Sequence, residues 1–270
     1  MPVETASSRR DIETGSIMGK RSAFGLIVFA MASLGAFSAA ATEDVDRPIA
    51  VVELFTSQGC NSCPKADAAL ADLAEQGDVV ALAYHVDYWD YLGWKDTLAR
   101  PENTERQRDY SRGFKNRAVY TPQVVVNGMT DLKGSKPKRL DAALRHAAMG
   151  GLLNVDVDLA LRSDSLVVTI GEGDNAGVET AILLVYFDET TDVAITQGKN
   201  RGKTISYVHA VRGFHSAGMW NGDAQELRMP LHDVMKKGSG GVAAIVQEID
   251  SNGMPGAIRG AALIHHRVGS

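Results

Sequence analysis

The chain contains two cysteines, and they stand two residues apart as Cys60-Asn61-Ser62-Cys63. An apolar run, Pro48–Phe55, leads into them, and a helix-like pattern begins at Pro64. Strand, short turn, paired cysteines, helix is an order with few structural solutions. It predicts a first sulfur that is exposed and a second buried behind it, with the helix N-terminus stabilising a thiolate. Such a pair can cycle between dithiol and disulfide. A structural zinc site needs four ligands, and no second cysteine pair or paired histidines stand at a suitable spacing. A purely structural disulfide closing so small a loop gains little chain entropy. The motif therefore favours a redox site over a metal site or an inert relic.

The N-terminal stretch reads as an address rather than as part of the fold. Lys20-Arg21 precede the apolar segment Ala23–Phe37, then come Ser38-Ala39-Ala40-Ala41 and the polar Thr42-Glu43-Asp44. A basic flank, a short apolar core and an Ala-x-Ala end predict a secretory signal over 1–41, cut near Ala41. Met18 is a candidate start, because residues 1–17 carry acids unusual in a signal's leading region. An uncleaved anchor is the alternative, but an apolar stretch of about 15 to 19 residues is marginal for spanning a bilayer. The mature chain is thus expected in the periplasm or outside the cell, without stable membrane insertion. Thiols there tend to be oxidised, so the pair either donates a disulfide or is kept reduced by a partner.

The chain has 28 Lys and Arg against 33 Asp and Glu; removing 1–41 takes four bases and three acids and leaves a net charge of −6. That balance argues against a nucleic-acid binder. The basic residues Lys133, Lys136, Lys138 and Arg139 read as a solvated loop entering a helix.

Residues 49–149 alternate strand and helix signals. Ile49–Phe55 and Val79–Val86 read as buried strands, and Gln123–Asn127 followed by Met129–Lys133 as two more around a turn at Gly128. Helices are expected over Pro64–Glu75, Pro101–Phe114 and Pro137–Met149. From Leu152 short strands separated by Gly- and Asp-rich turns take over: Val155–Leu161, Ser165–Ile170, Thr180–Phe187, Thr204–Val211, Val242–Ile249 and Ala257–His265. The fold class expected is α+β, with a β-α-β-α-β-β-α domain over 49–150 and an antiparallel, sandwich-like β domain over 152–270.

The first of these resembles the minimal thioredoxin fold of glutaredoxin-like proteins. Thr121-Pro122 agrees, because thioredoxin-like proteins carry a cis-proline before the third core strand, facing the cysteines. Three motifs occur in order: Leu54–Pro64, His85–Trp94 and Tyr120–Gly128. Together they resemble a bacterial family of secreted thioredoxin-like proteins of formally unassigned function. Gly198–Gly202 and Val208–Arg212 are similar to that family's second-half motifs, although Lys199 stands where an acid is more usual. The resemblance implies the fold strongly and the reaction only through the cysteine pair.

The reading is an exported thiol–disulfide oxidoreductase acting on protein or small thiols, with an unidentified redox partner and no organic cofactor or metal. Cys60 is expected to form the mixed disulfide and Cys63 to resolve it. Asn61-Ser62 supplies no charge to stabilise a thiolate strongly, which predicts a middling or reducing potential. Pro122 and Thr121 belong to the substrate-facing side. The aromatic segment Tyr84–Trp94 offers Tyr88, Trp89 and Trp94 either as a lip for a peptide or as a loop pinning two domains together. Asp87, Asp90 and Asp96 lie in the same loop region, where carboxylates also cap turns and helices. Glu53 interrupts an apolar strand and is expected either to accept the proton of Cys63, as a buried acid does in thioredoxins, or to pair with a lysine or arginine. Two rivals remain: a copper-handling protein using Cys60, Cys63 and His85 or a methionine, and an interaction module with an inert pair.

Overall fold

The apolar run before the cysteines forms β1 (Ala50–Thr56), buried at every residue. It lies parallel to β2 (Val79–His85) and antiparallel to β3 (Gln123–Val126), both equally buried. Strands covered on both faces show no polar alternation, which is why all three read as apolar runs. The computed structural model describes residues 47–237 and 240–266, and the expected signal over 1–41 lies outside them. Among the described residues no helix is long and apolar enough to cross a membrane.

β4 (Thr130–Lys133) pairs antiparallel with β3 across the turn Asn127-Gly128. Both turn residues have positive φ, 49° and 68°, the conformation that suits a tight hairpin and that glycine tolerates best. α1 (Pro64–Gln76) starts with proline and ends at Gly77, whose left-handed backbone returns its N–H to Leu73 O. α2 (Pro101–Gly113) and α3 (Pro137–Gly150) also open with proline. This β-α-β-α-β-β-α order is the one expected. α1 and α3 cover one face of the sheet, where Ala66, Leu70, Leu140 and Leu144 meet Val52, Leu54 and Val124. The odd-numbered residues of β1, Val51 and Phe55, turn to the other face and meet Tyr110 of α2.

The second half does not form a separate sandwich. It comprises β5 (Val157–Leu161), β6 (Ser165–Ile170), β7 (Thr180–Ala194), β8 (Thr204–Met219), β9 (Gln225–Pro230), α4 (Leu231–Lys237), β10 (Gly241–Ile249) and β11 (Pro255–His265). Four of these strands extend the first sheet to eight, in the order β11-β10-β7-β8-β2-β1-β3-β4. The join is parallel, β8 to β2 at Ala210 and Ala83. Val185, Phe187, Ala243 and Ile245 continue the buried face begun by Phe55 and Leu82, so no boundary near 150 separates two cores. Among the described residues β5-β6-β9 forms a second sheet. It lays Leu166, Val168 and Ile170 on Ile182, Leu184, Val242, Ala244 and Val246 of the large sheet.

β7 and β8 run to 15 and 16 residues, well beyond the expected Phe187 and Val211. The β7 extension, Asp188–Ala194, pairs with Thr204–Ala210, and the β8 extension pairs over Gly213–Met219 with Ala181–Tyr186; polar residues in both extensions hide the strand signal. β9 and α4 were not expected either. β9 alternates half-buried and exposed residues without an apolar run, and α4 has only seven residues, too few to show a period.

Candidate active site around Cys60 and Cys63

Cys60 and Cys63 form a disulfide, with Cα atoms 5.4 Å apart. Cys63 is the N-cap of α1 and already has helical backbone angles, φ −72° and ψ −38°. Its carbonyl accepts the N–H groups of Ala66 and Asp67 at 2.7 and 3.0 Å. The helix therefore starts on the second cysteine, as the motif requires. The exposure expected of the first sulfur is not found: Cys60 is 1% exposed and Cys63 0%.

Two segments cover the pair. Asn200, in the turn between β7 and β8, donates its side-chain N–H groups to Gln58 O at 2.9 Å and Cys60 O at 3.0 Å. Lys203 Nζ in turn donates to Asn200 Oδ1 at 2.9 Å. From the other side comes the aromatic loop after β2. A Cβ on Gly59 would lie 3.1 Å from Trp89 Cβ, so glycine is what lets the loop close on the chain before Cys60. Trp89 Nε1 donates to Thr121 Oγ1, and Trp94 Nε1 to Gln58 Oε1, both at 2.8 Å. Trp94 also packs against Gly198. Trp89 and Trp94 thus pin the cysteine loop to its surroundings, and Tyr88 is half-buried beside them. The Thr121–Pro122 bond is cis. Pro122 sits beside the first turn of α1, since a Cβ on Gly134 would touch Ala66 and Pro122 at 3.1 and 3.2 Å.

Glu53 is not placed behind Cys63. It faces α2, on the side of the sheet opposite α1, and is fully buried. Arg106 Nε donates to its Oε1 at 2.7 Å, and Tyr110 OH makes a very short bond to its Oε2. Arg106 reaches Gln247 Oε1 at 2.9 Å, and Gln247 returns a bond to Tyr110 OH at 2.8 Å. The ion-pair alternative is the one observed, and the four groups tie β1, α2 and β10 together.

The buried acid on the cysteine side is Asp67. It stands four residues after Cys63 on a continuous helical backbone, which puts both side chains on one inward face. Thr56 Oγ1 donates to Asp67 Oδ1 at 2.6 Å, while Oδ2 is buried with no hydrogen-bond partner among the described residues. Burial raises the Asp67 pKa to about 7, against the smaller opposing pulls of His85 and of the Thr56 bond. His85 lies beside Thr56 in register on β2. Its Nδ1 meets Asp96 Oδ2 at 2.9 Å, its ring stands edge-on to Tyr207 at 4.7 Å, and its Nε2 has no hydrogen-bond partner among the described residues. Asp96 caps its own turn, accepting the N–H groups of Leu98 and Ala99, and also holds the N–H of Gln58. Burial pushes its carboxyl up, but His85 and these N–H groups outweigh that and hold the pKa low. Among the described residues no three His, Cys, Asp or Glu side chains are grouped so as to hold a metal ion.

Asp67 and Asn200 are the residues that sequence reasoning missed. The site draws on chain from β1 through α1 and the aromatic loop to the β7–β8 turn. One family profile spans that whole stretch, matching residues 51–247 under the description "Protein of unknown function (DUF1223)". The chain belongs to the DUF1223 family. A crystal structure of an Agrobacterium tumefaciens protein, a structural genomics target, is similar to this DUF1223 member at 38% identity and TM-score 0.74, covering 83% of this chain and 97% of that one. HBP35 of Porphyromonas gingivalis is similar in fold at 15% identity and TM-score 0.59, over 81% of this chain and 75% of that one. No curated protein matches.

Proposed function

We propose that this DUF1223 protein is an exported thiol–disulfide oxidoreductase whose first half is a thioredoxin-like core. The observation that carries the reading is the Cys60–Cys63 disulfide at the start of α1, with the buried carboxyl of Asp67, one oxygen of which has no hydrogen-bond partner among the described residues, one turn behind it on the same face. A substrate thiolate attacks Cys60 Sγ, the Cys60–Cys63 bond breaks, and Cys63 leaves as a thiolate that takes a proton from the Asp67 carboxylic acid. A second substrate thiolate then attacks the substrate sulfur of the mixed disulfide and expels Cys60. The substrate is oxidised by two electrons and the cysteine pair reduced. Run backward, Cys63 gives its proton to the Asp67 carboxylate and attacks Cys60 to release a reduced substrate. Substrates are protein or small thiols and disulfides, a separate redox partner resets the pair, and no organic cofactor takes part.

The burial of both sulfurs favours a second reading, a structural disulfide. Equilibration of the protein from Thr42 onward with glutathione buffers separates the two. The oxidoreductase reading expects reversible reduction at a potential above about −300 mV, and Cys63→Ser trapping mixed disulfides while Cys60→Ser does not. A pair that stays oxidised down to that potential, with no trapping by Cys63→Ser, overturns it.

A further inference from the structure

A cavity of about 550 Å³ lies where β2 and β8 part company. The two strands pair only at Ala83 and Ala210, and β2 ends at His85 while β8 runs on to Met219. Parallel strands that separate at a carboxyl end leave a crevice, a common place for ligands in open sheets. Arg100 is anchored there by its backbone N–H to His85 O at 3.2 Å.

The lining is cationic in a chain of net charge −5. Arg100, Arg212, Lys236 and Lys237 contribute four positive charges, and Asp188 the one carboxylate of the lining. Asp188 meets Arg212 at 3.5 Å, whereas Arg100 Nε is buried with no hydrogen-bond partner among the described residues. Arg100 as a whole is half-buried and lines the cavity, which puts its positive charge beside an oxyanion bound there. The cavity also presents one partly exposed ring, that of His215. It stacks on the buried Tyr186 with centroids 5.6 Å apart and planes within 7°, and Lys237 lies 5.0 Å from the Tyr186 centroid. Gly213 leaves the strand bare between them: a Cβ there meets no heavy atom within 4 Å. The space is therefore held open by the absence of a side chain.

We propose that this cavity binds a small organic anion carrying two or more negative charges on a planar body. The Arg forks and lysines take its oxyanion groups, and the half-buried His215, backed by Tyr186, takes its ring. The site is separate in its residues from the cysteine pair and does not depend on the redox reading.

The test is calorimetric titration of the folded, oxidised protein with benzene-1,3,5-tricarboxylate and with pyrophosphate. Sodium chloride matched for ionic strength is the control. Saturable binding of both, tighter for the tricarboxylate, is expected. Gly213→Leu, which puts a branched side chain into the cavity, should weaken it more than tenfold, and Lys236→Gln and Arg212→Gln should each weaken it about tenfold. Because Arg212→Gln also removes the guanidinium beside Asp188, Gly213→Leu and the exposed Lys236→Gln decide the matter if that variant is unstable. No binding beyond the chloride control, or equal binding by Gly213→Leu and the parent protein, overturns the proposal. Binding of pyrophosphate alone overturns the role of the His215 ring.

Discussion

Asp67→Asn isolates the buried acid behind Cys63. Burial carries the Asp67 pKa from 3.8 to about 7, so the folded protein holds a proton there that the unfolded chain has lost. Between about pH 4 and pH 7 the folded state binds more protons at this group, so stability falls as pH rises and levels off above the folded pKa. The gap between 3.8 and about 7 corresponds to at most about 4 kcal/mol at the plateau. Asparagine keeps the acceptor for the Thr56 hydroxyl, which lies 2.6 Å from Oδ1. Its amide N–H groups replace the unpartnered Oδ2 and cost about 1 to 3 kcal/mol, independent of pH. Urea unfolding of the oxidised proteins from pH 4 to 9 reads the difference without titrating thiols. Relative to the parent, Asp67→Asn should gain stability steadily between pH 4 and 7 and then hold it. A flat difference curve would mean that Asp67 ionises like a surface carboxylate, and it could then hold no proton for Cys63 at neutral pH.

Glu53→Gln should lower stability by about 3 kcal/mol or more, because it leaves the Arg106 guanidinium buried without its counter-charge; urea unfolding reads the loss. The same variant should leave the pH profile of single-turnover exchange with a model disulfide unchanged. Asn200→Ala removes the donors to Gln58 O and Cys60 O, so it should cost about 1 to 3 kcal/mol and speed alkylation of Cys60 in the reduced protein.

The first half of the fold was legible because its elements are local. Fully buried strands announce themselves as apolar runs, and Pro64, Pro101 and Pro137 each mark a helix start. The second half was legible strand by strand but not in its assembly. Nothing in Thr204–Met219 says that it will pair parallel with a strand more than a hundred residues earlier, and that pairing is what merges two expected domains into one sheet. The cover over the cysteines is hidden for the same reason. Asn200 acts through contacts 140 and 142 residues away, and its own neighbourhood reads only as a glycine-flanked turn.

The misplacement of Glu53 has a different cause, and a correctable one. Side chains on a strand alternate between faces, so a single residue of register decides which side an acid serves. Glu53 shares its face with Val51 and Phe55, while α1, which Cys63 caps, lies over Val52 and Leu54. An acid in an apolar strand told correctly of burial and a partner, but not of which partner. Asp67 carried the better signal. It falls inside the stripe Ala66, Leu70, Leu73, where a helix packed on the sheet should be apolar, and four residues from Cys63, where helical geometry leaves no parity to guess. A charge in that stripe has either a partner or a proton. Thr56 occupies one of its oxygens and no described residue bonds the other, so the proton is the reading that the geometry favours.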